Sequence, residues 1–145
     1  MKKSILFFAL CAIFLGTSSD ITAQKFVKID ASPMDAAAFP SNWREANKLV
    51  KVVYSRPQLK GRTIDKLAPN DKVWRTGANS NSTISFSEDV VIDGKTLKKG
   101  KYAIYTVPKV ESWEVIFYSK TDNWGNPEVW NESDVAVRAT VVPSS

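Results

Sequence analysis

After residue 48, the pattern of apolar and polar positions is that of short β-strands separated by turns. In 82–87, Ile84 and Phe86 alternate with hydroxyl side chains, which predicts a strand with one buried face. The segments 101–108 and 112–119 carry apolar side chains on both faces, so we expect them to be central strands of a sheet. Further strands are predicted at 49–55, at Trp74, within 90–97 and at 134–143.

Turn residues separate these runs. Asp93-Gly94 lies between two β-prone stretches and predicts a two-residue hairpin of type I′, because glycine accepts the positive φ that this turn requires. The segment 41–50 is predicted to form one helical turn with Ser41 or Asn42 as its N-cap. The connection 58–72 has no clean period and is predicted to be a long loop, able to fold back over the sheet.

The number and spacing of these elements indicate the fold class. About seven short strands, with turns at intervals of about 8–12 residues and little helix, predict an all-β fold. The expected architecture is an antiparallel β-sandwich or an open barrel. We assign it to a single domain over 41–143, preceded by an irregular lead-in over 24–40 that contains Pro33 and Pro40.

Residues 1–23 have the order of charged, apolar and small residues that is typical of a secretory signal peptide. Two lysines precede an apolar run from Ile5 to Leu15, and cleavage is expected after Ala23. The run is shorter than the roughly 20 residues that a membrane-spanning helix needs. We therefore expect an exported protein, periplasmic or extracellular, without a membrane span after cleavage.

The composition excludes several kinds of catalytic site. The chain contains no histidine, and its single cysteine, Cys11, lies inside the predicted signal peptide. Serine–histidine, cysteine–histidine and zinc sites are therefore excluded from the mature chain. No pair of carboxylates stands out by its spacing, so no catalytic residue, metal ligand or cofactor is predicted. The formal net charge of +5 at pH 7 comes from scattered side chains, which favours a solvated surface over nucleic-acid binding.

The segment 73–81, VWRTGANSN, passes from a bulky aromatic residue and an arginine into small and polar residues. Arg75 beside this turn suits a carboxylate or phosphate, because a guanidinium fork next to free backbone N–H groups binds anions. Arg56 and Arg62 would join it if 58–72 folds back over the sheet. Arg56, Arg75 and Asn79 are therefore candidate ligand-binding residues.

A structural interpretation of the same segment stays open and receives the greater weight. Arg75 would then pair with a nearby acid, Asp71 or Asp65. Asn79 and Asn81 would stabilise the loop through hydrogen bonds from side chain to backbone.

Tryptophans supply the second candidate feature. Trp124 lies in a polar loop close to Asp122, and this pair would hold a sugar by stacking and hydrogen bonding. Alternatively, Trp124 turns inward and plugs one end of the fold. Trp130 is expected nearer the surface, whereas Trp113 and Trp74 are expected in the core.

Five segments, in order, carry a resemblance to a known family: YSRPQLKGR at 54–62, VWRTGAN at 73–79, DGKTLKKGKYAIYTVP at 93–108, WEVIFYSKTDNWG at 113–125 and DVAVRATV at 134–141. By these motifs the chain resembles the bacterial domain of unknown function 2911, over nearly all of 31–142. The resemblance implies an exported, mostly all-β protein of a family frequent in Bacteroidetes, with no established activity. The chain ends earlier than such relatives, which predicts an open strand edge and self-association.

Two functions follow as hypotheses. The first is a non-catalytic exported binding module for a small polar or carbohydrate ligand, held near Arg56, Arg75, Asn79, Asp122 and Trp124. The second is a structural or assembly protein of the cell envelope, which acts through contacts with other proteins. An enzyme is the least favoured class.

Overall fold

The computed structural model describes residues 26–143, so the predicted signal peptide lies outside the described residues. The strands are β1 Met34–Phe39, β2 Val50–Ser55, β3 Thr83–Phe86, β4 Val90–Ile92, β5 Lys95–Leu97, β6 Gly100–Pro108, β7 Trp113–Tyr118 and β8 Val135–Val141. One helical turn, α1 (Ile64–Leu67), and one 3-10 turn (Glu132–Asp134) complete the described elements. The predicted all-β class with little helix is confirmed.

Six of the strands form one antiparallel sheet in the order β1-β2-β3-β6-β7-β8. β4 and β5 form a separate two-stranded sheet, and neither sheet closes into a barrel. The arrangement is that of an open β-sandwich with one large layer and one small layer. β6 and β7 both lie inside the large sheet, which confirms the prediction that they are central strands.

The first strand lies in the segment that the sequence predicts to be irregular. β1 pairs with β2 along its whole length, from Met34 opposite Ser55 to Phe39 opposite Val50. Its sequence, MDAAAF, has neither alternation nor β-branched residues, so local preference does not reveal it. The strand forms because β2 offers it a ladder of hydrogen bonds, and it becomes one edge of the sheet.

Two further expectations about local structure are wrong. The segment 41–50 contains no helix; Asn42 instead closes a tight turn, its side chain accepting a hydrogen bond from the Arg44 N–H at 3.0 Å. Trp74 does not begin a strand but makes a single antiparallel bridge to Thr106 of β6. In neither place do the hydrogen bonds repeat in the regular pattern of a helix or a strand.

The β4–β5 hairpin covers one face of the large sheet. Its turn has positive φ at both Asp93 (50°) and Gly94 (71°), as the predicted type I′ turn requires. Leu97 of β5 is buried with three side chains of the large sheet, Phe86, Phe117 and Val137. Apolar burial is therefore the main interaction that holds this layer in place. Two hydrogen bonds with the large sheet add to it, from Lys95 to the Arg138 carbonyl at 3.4 Å and from Tyr102 to the Lys98 carbonyl at 2.8 Å.

The opposite face of the large sheet is covered by loops. Ala103 and Tyr105 of β6 are buried there with Ile116 and Tyr118 of β7. Trp130, from the loop after β7, packs on this cluster with its ring centroid 5.4 Å from that of Tyr105. The prediction that Trp130 lies nearer the surface is wrong, because its ring packs on two tyrosine rings and is half-buried there.

The two tryptophans expected in the core are only half-buried. Trp74 and Trp113 pack edge to face, with ring centroids 6.4 Å apart, at the far end of β6 and β7. Within residues 26–143, no helix has the length and apolar character needed to cross a membrane.

Candidate functional site

The loop that contains Arg75 leaves and rejoins the edge of β6. Trp74 exchanges two backbone hydrogen bonds with Thr106, at 2.8 and 2.9 Å, and Ser82 then accepts one from Ile104 at 2.8 Å. Residues 75–81 therefore form an excursion between two anchored points on the same strand. We call this segment the arginine loop.

Close packing fixes the shape of the arginine loop. Thr76 has a φ of 54°, which a β-branched residue rarely adopts, and its hydroxyl contacts the Thr106 hydroxyl at 3.1 Å. A Cβ on Gly77 would lie 2.6 Å from the Ser82 side-chain oxygen, so no larger residue fits there without displacement. Backbone strain of this kind persists only where the surroundings hold it.

The side chain of Arg75 is half-buried and stacks on Trp124, its Cζ lying 5.5 Å from the ring centroid. None of the salt bridges within residues 26–143 involves it, so neither Asp71 nor Asp65 is its partner. The structural interpretation of Arg75 as half of an ion pair is therefore wrong. A stacked guanidinium keeps its in-plane N–H groups available for an acceptor.

Two adjoining cavities, of about 260 and 170 Å³, open beside the arginine loop. Both are lined by Arg62, Leu67, Arg75 and Gly77, and the smaller one is also lined by Lys60. We call the two together the basic basin. Three cationic side chains line it, and the nearest carboxylate is that of Asp30, which Asn79 binds at 3.3 Å. The excess of cationic groups suits an anion.

The connection 58–72 does fold back over the sheet, as the first interpretation of Arg75 requires. Arg62 is oriented by its own turn, since its Nε donates to the carbonyl of Leu59 at 2.9 Å and its Nη2 to that of Gln58 at 2.8 Å. Each of these bonds uses one edge of the guanidinium and leaves Nη1 for the basin. Arg62 and Arg75 line the same two cavities, although they are distant in sequence.

The remaining arginine candidate does not join the basin. Arg56 binds the carboxylate of Asp35 through both Nε and Nη2, at the edge formed by β1 and β2. This pair holds the pKa of Asp35 below its usual 3.8 and raises that of Arg56. With its charge already matched by Asp35, Arg56 anchors β1 to β2.

Asn79 lines the smaller cavity of the basin. Its amide nitrogen donates to Asp30 and to the Ser32 carbonyl, both at 3.3 Å, which ties the arginine loop to the segment before β1. Gly77 and Ala78, both buried, line the same cavity.

A larger cavity of about 480 Å³ lies on the other side of Trp124. Its lining includes Asp122, Asn123, Trp124, Asn126 and Glu128, and we call it the tryptophan cavity. Trp124 is 73% exposed, so it does not plug the fold. Asn126 lines both this cavity and the basic basin, and its side chain donates to the Val73 carbonyl at 3.0 Å.

An ion-pair network fixes the far end of the tryptophan loop. The indole N–H of Trp130 donates to Glu132 at 2.7 Å, and Arg138 of β8 binds Glu132 and Glu114. Arg138, and then Trp130, hold the pKa of Glu132 below its usual 4.5. The network therefore holds Trp130 in contact with Tyr105 and Tyr118, and so fixes one end of the loop that contains Trp124.

Tyr105 of β6 connects the loops to the large sheet. It is fully buried, and its hydroxyl accepts a hydrogen bond from the Asn81 amide at 2.8 Å. Burial raises the pKa of Tyr105, while hydrogen bonds from Asn123 and Asn81 oppose that rise. Asn81 thus stabilises the loop, but by a contact to a tyrosine side chain and not to the backbone as expected.

Most of the predicted site residues lie together in the structure, and one lies apart. Among residues 26–143, no three His, Cys, Asp or Glu side chains converge as metal ligands would. The predicted residues Arg75, Asn79, Asp122 and Trp124 line two joined cavities, and Arg56 lies elsewhere. Lys60 was not predicted, because its place in the lining depends on how separate loops pack together. Asn126 lies two residues after Trp124 in the same polar loop, which is the sequence signal for it.

Comparison with known proteins identifies the family. A search of curated proteins and a search of solved structures give no significant match. A family model, described as "Protein of unknown function (DUF2911)", matches residues 32–145. It begins two residues before β1, so the family domain includes the strand that the sequence pattern missed. The chain therefore belongs to the DUF2911 family.

Proposed function

We propose that the domain is a non-catalytic binding module for a small polar ligand, held in the basic basin and the adjoining tryptophan cavity. The proposal keeps Arg75, Asn79, Asp122 and Trp124 as ligand-binding residues and replaces Arg56 with Arg62. A concave site with a few convergent polar groups beside an aromatic side chain is the usual form of a small-molecule site.

One observation carries the proposal: Arg75 is a half-buried cation with no carboxylate partner in the described chain. The other arginine of comparable burial, Arg138, has two acidic partners, at 2.7 and 2.6 Å. Even the exposed Arg56 is paired, with Asp35. Desolvating a charge is unfavourable unless a counter-charge compensates it, so an anionic ligand would complete the site around Arg75.

Tryptophan fluorescence tests this proposal, because Trp124 and Trp74 lie at the two cavities. The panel contains simple carboxylates, inorganic phosphate, neutral monosaccharides and acidic monosaccharides. We expect a saturable change with at least one anionic member, lost in Arg75→Met and strongly reduced in Trp124→Leu. A silent panel with the folded wild-type protein would contradict the proposal.

A control separates binding from folding in this experiment. If Arg75→Met unfolds the domain, the thermal transition shows it, and Arg75 is then a scaffold residue. Arg75→Lys keeps the charge but removes the planar fork, so it should fold and bind the anion more weakly. Normal binding by Arg75→Lys together with an unfolded Arg75→Met would remove Arg75 from the site.

We further propose that the domain works outside the cytoplasm. The support is the order of charged, apolar and small residues in 1–23, which is typical of a secretory signal peptide. Mass spectrometry of the protein recovered from culture fractions would test this, with a mature N-terminus near Gln24 as the expected result. Recovery of the intact N-terminus in the cytosol would contradict it.

The alternative function, a structural protein acting through protein contacts, has one observation in its favour. Strand β1 is an open edge, and beside it Phe39, 62% exposed, lines an apolar groove of about 260 Å³ with Ala37, Val50 and Val52. An apolar edge of this kind can pair with a second copy of the chain. Sedimentation velocity would show a dimer that Phe39→Ser dissociates; a monomer at all concentrations would exclude the alternative.

A further inference from the structure

We infer that the ligand is an acidic sugar, a pyranose that carries a carboxylate, with the carboxylate in the basic basin and the ring in the tryptophan cavity. This inference rests on the proposed function and specifies the ligand class for the same site. It follows from the charges of the two cavities, from the exposed face of Trp124, and from the way that the cavities join.

The two cavities have opposite charge character. Lys60, Arg62 and Arg75 line the basin, and the Asp30 carboxylate is the nearest acid. The tryptophan cavity is lined by Asp122 and Glu128 together with Lys120, whose ammonium group already pairs with Asp134 at 2.9 Å. A ligand with one negative group is therefore oriented, since its carboxylate is attracted into the basin and repelled from the tryptophan cavity.

The tryptophan cavity has the surface that a sugar ring needs. Arg75 lies over the ring of Trp124, yet Trp124 is 73% exposed, so most of the ring surface beside the guanidinium is open to a ligand. Amide and carboxylate groups from Asp122, Asn123 and Asn126 line the same cavity. Such groups accept hydrogen bonds from hydroxyls, and the open aromatic face packs against the C–H bonds of a pyranose. The volume of about 480 Å³ lies within the range of small-molecule sites.

The two cavities adjoin where Arg75 lies over the ring of Trp124, with its Cζ 5.5 Å from the ring centroid. Trp124 lines the larger cavity, Arg75 lines the basin, and Asn126 lines both. In a uronic acid the carboxylate is attached directly to the ring, so the two groups are one bond apart. One ligand can therefore touch Trp124 with its ring and Arg75 with its carboxylate.

The chain contains an internal control for this arrangement. Arg44 stacks over Trp43 with its Cζ 4.9 Å from the ring centroid, and Trp43 is 83% exposed. This second Arg–Trp pair has the same chemistry as Arg75 and Trp124 but lines neither the basin nor the tryptophan cavity. A stacked arginine and tryptophan alone should not bind the ligand; the cavities are required.

Isothermal titration calorimetry with four probes tests the inference: glucuronate, glucose, acetate and glutamate. We expect glucuronate to bind wild-type protein at least about tenfold more tightly than glucose or acetate, since each lacks one half of the interaction. Arg75→Met should raise the Kd for glucuronate by about 10- to 100-fold and that for glucose by much less, because glucose has no carboxylate to lose its partner. Trp124→Leu should weaken both sugars. Arg44→Met and Trp43→Leu should change nothing.

The outcomes separate the inference from the proposed function. If acetate or phosphate binds as tightly as glucuronate, the site recognises the anion alone and the inference is overturned, while the binding module stands. Tighter binding of glutamate than of glucuronate overturns it as well, because the acids of the tryptophan cavity would then hold an ammonium group. If no probe and no member of the fluorescence panel binds, both are overturned. Circular dichroism of each variant confirms that it is folded before titration.

Discussion

The two faces of the large sheet are covered in different ways. On the hairpin-covered face, Leu97 of an adjacent hairpin packs on Phe86, Phe117 and Val137. These apolar contacts are supplemented, in the described part of the chain, by only two hydrogen bonds, from Lys95 to the Arg138 carbonyl and from Tyr102 to the Lys98 carbonyl. On the loop-covered face, distant loops bring Trp130 and polar side chains onto Tyr105 and Tyr118, and hydrogen bonds fix their positions. The first cover stabilises the sheet, whereas the second also encloses two cavities.

The difference between the two faces explains why the cavities lie on the loop-covered face. A hairpin packed by apolar contacts leaves little space for a ligand and exposes few donors. Loops held by polar contacts leave gaps between them, as the arginine loop and the loop bearing Trp124 do. The candidate site is therefore a consequence of how the second face is covered.

The largest expected losses of stability come from removing a buried aromatic ring, and each face of the large sheet offers one for comparison. Tyr105→Ala and Phe117→Ala should each lower the free energy of unfolding by about 3–5 kcal/mol, because each removes a buried ring. Tyr105→Phe keeps the ring but leaves the Asn81 amide without its acceptor, at a cost of about 1–3 kcal/mol. Urea denaturation measures all three. A neutral Tyr105→Phe would show that polar contacts do not fix the loop-covered face.

The next effect concerns the arginine loop. Gly77→Ala places a methyl group 2.6 Å from the Ser82 hydroxyl, and overpacking of this kind costs about 1–3 kcal/mol. Ser82→Ala removes the obstructing oxygen but also its hydrogen bond to the Thr76 carbonyl at 2.7 Å. The double variant should lose less stability than the sum of the single variants, measured as a double-mutant cycle. Simple additivity would mean that Gly77 is not constrained by Ser82.

The two faces also differ in how much of their structure could be predicted from the sequence. The hairpin-covered face was predictable, because period-two strands and the Asp93-Gly94 turn are local signals. The loop-covered face was predictable only in part: Arg75 and Trp124 were identified as candidates, but their contact was not. Lys60, Arg62 and Asn126 meet through packing between loops, which no local periodicity encodes.

A smaller effect is expected from pH. Because the pKa of Glu132 is lowered in the folded state, its stabilising contribution is complete above its unfolded value and is lost as the pH falls through the folded value. The difference in unfolding free energy between wild type and Glu132→Gln should therefore be largest at neutral pH and shrink below about pH 4.5. Added salt should reduce it too. A difference that does not vary with pH would mean that the charge of Glu132 does not contribute to the ion-pair network around Arg138.

The smallest effect on stability is expected at the site itself. Trp124→Leu should change the free energy of unfolding by less than about 0.5 kcal/mol, because the ring is 73% exposed. Trp130→Leu, which removes a ring packed on Tyr105 and Tyr118, should cost several times more. Thermal unfolding of the two variants gives the comparison. Equal losses would mean that Trp124 supports the fold and does not primarily serve the cavity.

An NMR titration tests the central claim, that the loop-covered face carries a site for an anionic ligand, most directly. Amide spectra of the labelled protein are recorded during addition of sodium glucuronate. We predict saturable shifts at the amides of residues 75–79 and 121–127 and at the indole N–H of Trp124, while residues 90–97 of the hairpin stay unchanged. Shifts confined to the hairpin or to β1, or none at all, would contradict the account.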